Sequence, residues 1–188
     1  MVHGIFVMID ETYVEFVPDV KAVSAVSLTN DYTNLIILRG TSKFFAAPGL
    51  RLGYAITGNM DLIREVNTRK NPWTINTLAE IAGRLMFSDI EYIEETRNLI
   101  TNERNRILNI LDRWDSVKYY QPQANFILLH LLKPGIDADF VFDYCIRKGL
   151  MIRNCASFPF LDNSYIRFCI MKPEQNAELL GTLSEILH

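Results

Sequence analysis

RGTSKFFAAPGLRLGY, residues 39–54, leaves the short apolar run Leu35 to Leu38 and enters a turn punctuated by Pro48 and Gly49. Lys43 stands at the start of that turn. Upstream, IFVMIDETY, residues 5–13, carries Asp10 at the end of a second apolar run, Ile5 to Ile9. Both runs are nearly continuous in apolar residues, the pattern of parallel strands buried on both faces, with helices expected on each side. In open α/β sheets ligands gather at the carboxyl ends of the strands, so an amine and a carboxylate leaving neighbouring strands together form a candidate site. A lysine for a Schiff base and an acid for a ring nitrogen are what pyridoxal phosphate requires. Taken singly, Asp10 reads as a strand-end cap and Lys43 as solvated surface; their convergence is what argues for chemistry.

Working outward, Leu52 to Ile56 reads as a third strand, free to lie antiparallel, entered through Gly49 and left at Gly58 and Asn59, which tolerate left-handed or tight geometry. Asp61 to Lys70 suits a helix, with an acid near its positive end and bases near its negative end. NPWTIN, residues 71–76, is a turn, and Leu78 to Phe87 a further helix. From Asp89 to Trp114 the positions Ile93, Leu99, Ile100, Ile107, Ile110, Leu111 and Trp114 predict one long helix leading from one domain to the next. Beyond it the pattern is strand, turn and helix: strands at Val117 to Tyr120, Ala124 to Leu132, Leu150 to Arg153 and Tyr165 to Ile170, and a helix at Asp137 to Lys148. Pro173 and Glu174 open a last helix whose Ala177, Leu180, Leu183 and Leu187 form one face. The predicted organisation is residues 1–95 as part of a large α/β domain, 96–115 as a connecting helix, and 116–188 as a small α+β domain.

Composition supports a packed globule: 49% of the 188 residues are hydrophobic, 22% are charged, and the net charge of -3 gives no polyanion-binding surface, so nucleic acid is excluded as a partner. Cys145, Cys155 and Cys169 are an odd number without close spacing, which argues against disulfides and zinc and for a reducing cytoplasm. The run MVHGIFVMID is broken by Asp10 and has no basic leader, so no signal peptide is expected. No run reaches the ~20 apolar residues of a membrane span. His3, His130 and His188 have no metal-site or nucleophile-base spacing, and no metal is expected.

VMIDETYVEF and LRGTSKFFAAPGLRLGY resemble the core of class I/II aminotransferases, the fold-type-I pyridoxal-phosphate enzymes. Within that family the order and spacing are most similar to the branch holding histidinol-phosphate aminotransferases and the threonine-phosphate decarboxylases of cobalamin biosynthesis. The resemblance implies an α/β fold: an incomplete three-layer large domain of the aspartate aminotransferase type, followed by the small domain. It implies that Lys43 bears the cofactor, that Asp10 keeps the pyridine nitrogen protonated, that Tyr13 bonds the ring oxygen, and that Ser42 and Arg51 grip the phosphate. Gly40 stands where many relatives carry a hydroxyl, a contact that is either absent or supplied by Thr41. Arg39 reads as structural, paired with an acid.

IRNCASFPFLDNSYIRF, residues 152–168, adds Arg153 and Arg167. Arg167 resembles the family arginine that takes a substrate α-carboxylate, and Arg153 a second one available to a further anionic group. KFFAAPGLRLGY, PWTIN and IRNCASFPFLDNSYIRF together are more similar to threonine-phosphate decarboxylases than to transaminating relatives. L-threonine O-3-phosphate is then the expected substrate, with amino transfer, on histidinol phosphate or another amino acid, as the alternative. Asn76 and Asn125 match asparagines of relatives and either touch substrate or satisfy turns. The resemblance implies a homodimer. It covers the later part of the family's fold, whose cofactor-stacking aromatic and phosphate-binding glycine turn fall before the equivalent of Ile5. The third alternative is therefore a catalytically incomplete piece of such an enzyme.

Overall fold

A computed structural model describes residues 4–188, which divide into two compact units, the first ending at Thr96 and the second spanning Arg97–His188. The first unit is built on a three-stranded sheet of order β1-β2-β3, with β1 at Val7–Asp10, β2 at Leu35–Gly40 and β3 at Gly53–Ile56. β1 and β2 are parallel, Asp10 opposite Leu38, and β3 returns antiparallel to β2. Between β1 and β2 lie a 3-10 turn at Val14–Phe16, a short helix α1 (Val20–Val23) and a second 3-10 turn at Val26–Asn30. Helices α2 (Met60–Arg69) and α3 (Thr77–Ser88) follow β3. Asn59 and Asn76 cap them, each side-chain oxygen accepting the backbone N–H of the third helical residue, Leu62 and Ala79.

The central strand meets the buried-strand expectation: Leu35 and Ile37 are buried. β1 does not. Ile5 is 62% and Met8 63% exposed: among the described residues β1 pairs with β2 alone. Gly58 is needed for a close approach, since a Cβ there would lie 2.1 Å from the Thr29 carbonyl oxygen; its φ is not left-handed.

Helix α4, Ile90–Leu111, begins in the first unit and continues into the second. The single helix expected to reach Trp114 ends at Leu111, and Trp114 is buried just beyond it. The second unit carries a fully antiparallel sheet of order β4-β5-β7-β6: β4 Val117–Tyr119, β5 Phe126–Leu131, β6 Arg153–Asn154, β7 Tyr165–Cys169. Alternation is clean. Ile127, Leu129, Leu131, Ile166 and Phe168 are buried on one face, while Phe126, Leu128, His130, Tyr165 and Arg167 are half-buried on the other. Helices α5 (Ala138–Arg147) and α6 (Pro173–Leu187) bring Val141, Cys145, Leu179, Leu180, Leu183 and Leu187 to the core. Full burial of each such leucine is worth about 2 kcal/mol. Ala177, expected on the inner face of α6, is exposed; Asn176 is buried in its place, its amide donating to Glu103 (2.7 Å) and to the Met171 carbonyl (2.7 Å). No helix among the described residues is long and apolar enough to cross a membrane.

Candidate active site

Asp10 ends β1, and the turn after it is set by DET: Thr12 donates both its backbone N–H (2.8 Å) and its hydroxyl to the Asp10 carboxylate. These bonds, the hydroxyl first, hold the carboxyl below its ordinary 3.8 and outweigh the small cost of burial. Asp10 is therefore an anion at the carboxyl end of the sheet. Tyr13 follows, half-buried against Phe16 with ring centroids 6.2 Å apart.

Lys43 is exposed because its successor is not. Phe44 is 2% exposed, packs edge-on against Phe16 at 5.1 Å, and its carbonyl accepts from the Tyr92 hydroxyl at 3.0 Å. Anchoring that residue fixes the turn and leaves the lysine on the open side, its Nζ 6.0 Å from the centroid of the Tyr13 ring. The same segment contains two non-glycine residues at positive φ, Ala46 (49°) and Arg51 (54°). Each costs of order 1 kcal/mol and is held only because the surroundings demand it. Arg51 closes the 3-10 turn Pro48–Leu50 and its guanidinium donates to the Pro48 carbonyl at 3.3 Å.

Gly40 lies between the two strand ends: a Cβ added there would be 3.7 Å from Thr12 Cγ2 and 4.0 Å from Ser42 Oγ, ordinary contacts that leave room for a side chain. Thr41 cannot supply the contact that Gly40 lacks. It is fully buried, with its hydroxyl donating to the Leu52 carbonyl at 3.1 Å. Arg39 is engaged by acids, 2.9 Å from Glu11 and 3.3 Å from Glu15, with Ser24 at 2.8 Å. Asn76 is occupied as the cap of α3, its amide reaching the Leu50 carbonyl at 3.3 Å.

Asp10 and Lys43 thus leave the same end of the parallel pair β1 and β2, Lys43 beside the Tyr13 phenol, while Ser42 and Arg51 lie in the segment that joins β2 to β3. This donor set fits pyridoxal phosphate: a nucleophilic amine for its aldehyde, an anion for its ring nitrogen, and a hydroxyl and a cation for its phosphate. Thr12 was not singled out from the sequence, although an aspartate followed two residues later by threonine is a recognisable turn signal.

In the second unit Arg153 and Arg167 face each other in register across β6 and β7. They line a cavity of about 570 Å³ together with Asp139, Phe142, Met151 and Asn154. Asp139 is held there by amides, accepting from Asn154 at 2.6 Å and Asn163 at 2.9 Å. Asn125 is not among the residues that line this cavity, and its backbone carbonyl accepts from the Ile170 N–H at 2.8 Å. His130 stacks on Tyr165 with centroids 4.4 Å apart, and His188 lies edge-on to Trp114; His3 falls outside the described residues. Among the described residues no group of three or more His, Cys, Asp or Glu side chains is arranged to hold a metal.

An α/β core that sends a lysine turn and an aspartate to one sheet end defines a chain of the pyridoxal-phosphate-dependent class. The family model for aminotransferase class I and II matches residues 1–183, and the chain belongs to that family. It is 37% identical over 177 residues, 94% of this chain and 47% of the relative, to a protein provisionally named threonine-phosphate decarboxylase in Caldanaerobacter subterraneus subsp. tengcongensis. The crystal structure of the histidinol-phosphate aminotransferase from Clostridium acetobutylicum superposes with a TM-score of 0.89 at 35% identity, covering 95% of this chain and 53% of that one. The histidinol-phosphate aminotransferase from Sinorhizobium meliloti, solved in complex with pyridoxal-5'-phosphate, matches at a TM-score of 0.78 and 24% identity, covering 96% of this chain and 48% of that one. The chain spans about half the length of the curated relatives it matches.

Proposed function

We propose that this chain supplies the lysine-bearing part of a pyridoxal-phosphate enzyme that decarboxylates a small phosphorylated amino acid, best read as L-threonine O-3-phosphate. The observation that carries this reading is the joint placement of Lys43, Tyr13 and an ionised Asp10 at one sheet end. When bound, pyridoxal phosphate supplies an electron sink for a bond breaking at the substrate α-carbon. Asp10, fixed by Thr12, would keep the ring nitrogen protonated. Tyr13 would donate to the ring oxygen, and Ser42 and Arg51 would hold the phosphate. Lys43 would hold the cofactor through its amine and would be the base and acid that moves a proton at the substrate α-carbon. Arg167 takes the α-carboxylate and Arg153 the phosphate of the substrate, and the angle at which Arg167 holds the carboxylate selects the bond that breaks.

Amino transfer is the second reading, favoured by the likeness to the Clostridium acetobutylicum aminotransferase. Both readings place the protein in the cytoplasm as a homodimer. The test is incubation of the protein with pyridoxal phosphate and O-phospho-L-threonine. Carbon dioxide release without a keto acid supports decarboxylation; amino transfer to 2-oxoglutarate with no gas contradicts it.

A further inference from the structure

Arg153 and Arg167 occupy directly opposed positions on β6 and β7, an arrangement in which like charges destabilise a sheet. An acid beside either would neutralise it, as Glu103 does Arg106 at 2.6 Å elsewhere in the same unit. Here, among the described residues, neither guanidinium is within ion-pair distance of a carboxylate. Asp139, the one acid in the cavity lining, has both oxygens taken by asparagine amides.

What the two cations share is a ring. Phe158, on the loop between β6 and β7, lies 5.4 Å from the Arg153 guanidinium carbon and 5.7 Å from that of Arg167. Arg167 is also 4.7 Å from the Phe126 ring, and Arg153 donates to Ser157 Oγ at 3.1 Å. An aromatic face attracts a guanidinium without neutralising it and without using the N–H fork that would grip a planar anion. A carboxylate partner would do the opposite, spending the charge and the fork together.

We propose that Phe158 is a positioning residue: its ring spaces Arg153 and Arg167 as a two-pronged clamp for a ligand bearing two anionic groups, a carboxylate and a phosphate. This rests on the reading of the two arginines as substrate residues. The ring does not touch the reacting atoms; it sets where the two forks stand.

The test uses the full chain and O-phospho-L-threonine as probe, with affinity measured by titration calorimetry. Phe158→Leu keeps apolar bulk and removes the ring, and is expected to weaken binding roughly five-fold, while Phe158→Tyr restores it to within about two-fold. The thermal midpoint should be the same for both variants, which separates positioning from folding. Arg153→Gln and Arg167→Gln should each weaken binding by about ten-fold or more. Loss in the arginine variants with none in Phe158→Leu overturns the proposal alone, as does a tyrosine variant no better than leucine. Binding that is absent, or indifferent to both arginines, overturns the underlying reading. Independently of ligand, the Arg153 δ-protons of the free chain should show upfield ring-current shifts in the NMR spectrum that vanish in Phe158→Leu, whereas those of Arg167, also beside Phe126, should only diminish. Ordinary shifts in the unsubstituted chain overturn the proposal on geometry.

Discussion

Arg39 on β2 and Arg167 on β7 are both half-buried strand arginines, and their surroundings treat them in opposite ways. Arg39 is spent: Glu11, itself 8% exposed, and Glu15 neutralise it within the first unit. Arg167 faces a second cation and is held by phenylalanine rings. A guanidinium paired with buried acids belongs to the architecture, because removing it would strand a charge. One kept charged, oriented and without an acid partner is available to an anion from outside.

The largest effect should come from breaking the first arrangement. Arg39→Ala leaves the Glu11 carboxylate buried without its cation and should cost about 3 kcal/mol of unfolding free energy, read by denaturant titration. A change below about 1 kcal/mol would place Arg39 with Arg153 and Arg167.

A smaller effect should come from pH. The Arg106 guanidinium, opposed by burial and aided by Asn176, holds the Glu103 carboxyl below its ordinary 4.5. A carboxyl lowered in the folded state contributes stability that is fully present above that ordinary value and is lost as pH falls through the folded one. The partly exposed Arg106 limits this to about 1 kcal/mol. Glu103→Gln should flatten the stability profile below pH 4.5, and an unchanged acid limb would contradict the pairing.

Smaller still is the stability change for Arg153→Gln. Losing the contact with Phe158 is offset by relief of the repulsion with Arg167, so the net should stay within about 0.5 kcal/mol. A loss comparable with that of Arg39→Ala would mean that Arg153 serves the fold.

The least perturbing probe is thiol labelling. Burial pushes the Cys145 thiol up to about 11, and it raises Cys155 despite the pull of Arg167 and Arg153. Exposed Cys169 should react first with an aromatic disulfide reagent in the native chain, and the other two only on unfolding. Rapid labelling of Cys155 would show that the arginine loop opens readily.

Period and punctuation made much of this legible in advance. The α/β class, the existence of β3 and the strand-helix alternation of the second unit all follow from apolar runs separated by glycine, proline and asparagine, while these leave the direction of β3 open. Local pattern failed where a residue's environment comes from elsewhere. The apolar letters of β1 read as a doubly buried strand, yet burial depends on neighbours that a four-residue segment cannot encode. The inner faces of α4 and α6 include Glu103, Arg104 and Asn176, polar residues that periodicity assigns outward and that are buried through hydrogen bonds to distant partners. In the candidate site, Asp10 and Lys43 stood out as residue types at strand ends. Thr12 and Phe158, which fix charges rather than carry them, did not.

The central claim is that Lys43 is the residue to which pyridoxal phosphate attaches, with Asp10 beside it. The direct measurement is addition of pyridoxal phosphate, reduction with borohydride, and peptide mapping by mass spectrometry. The account predicts a single phosphopyridoxyl adduct on Lys43, absent in Lys43→Ala and diminished in Asp10→Asn. An adduct on another lysine while Lys43 remains unmodified would contradict it.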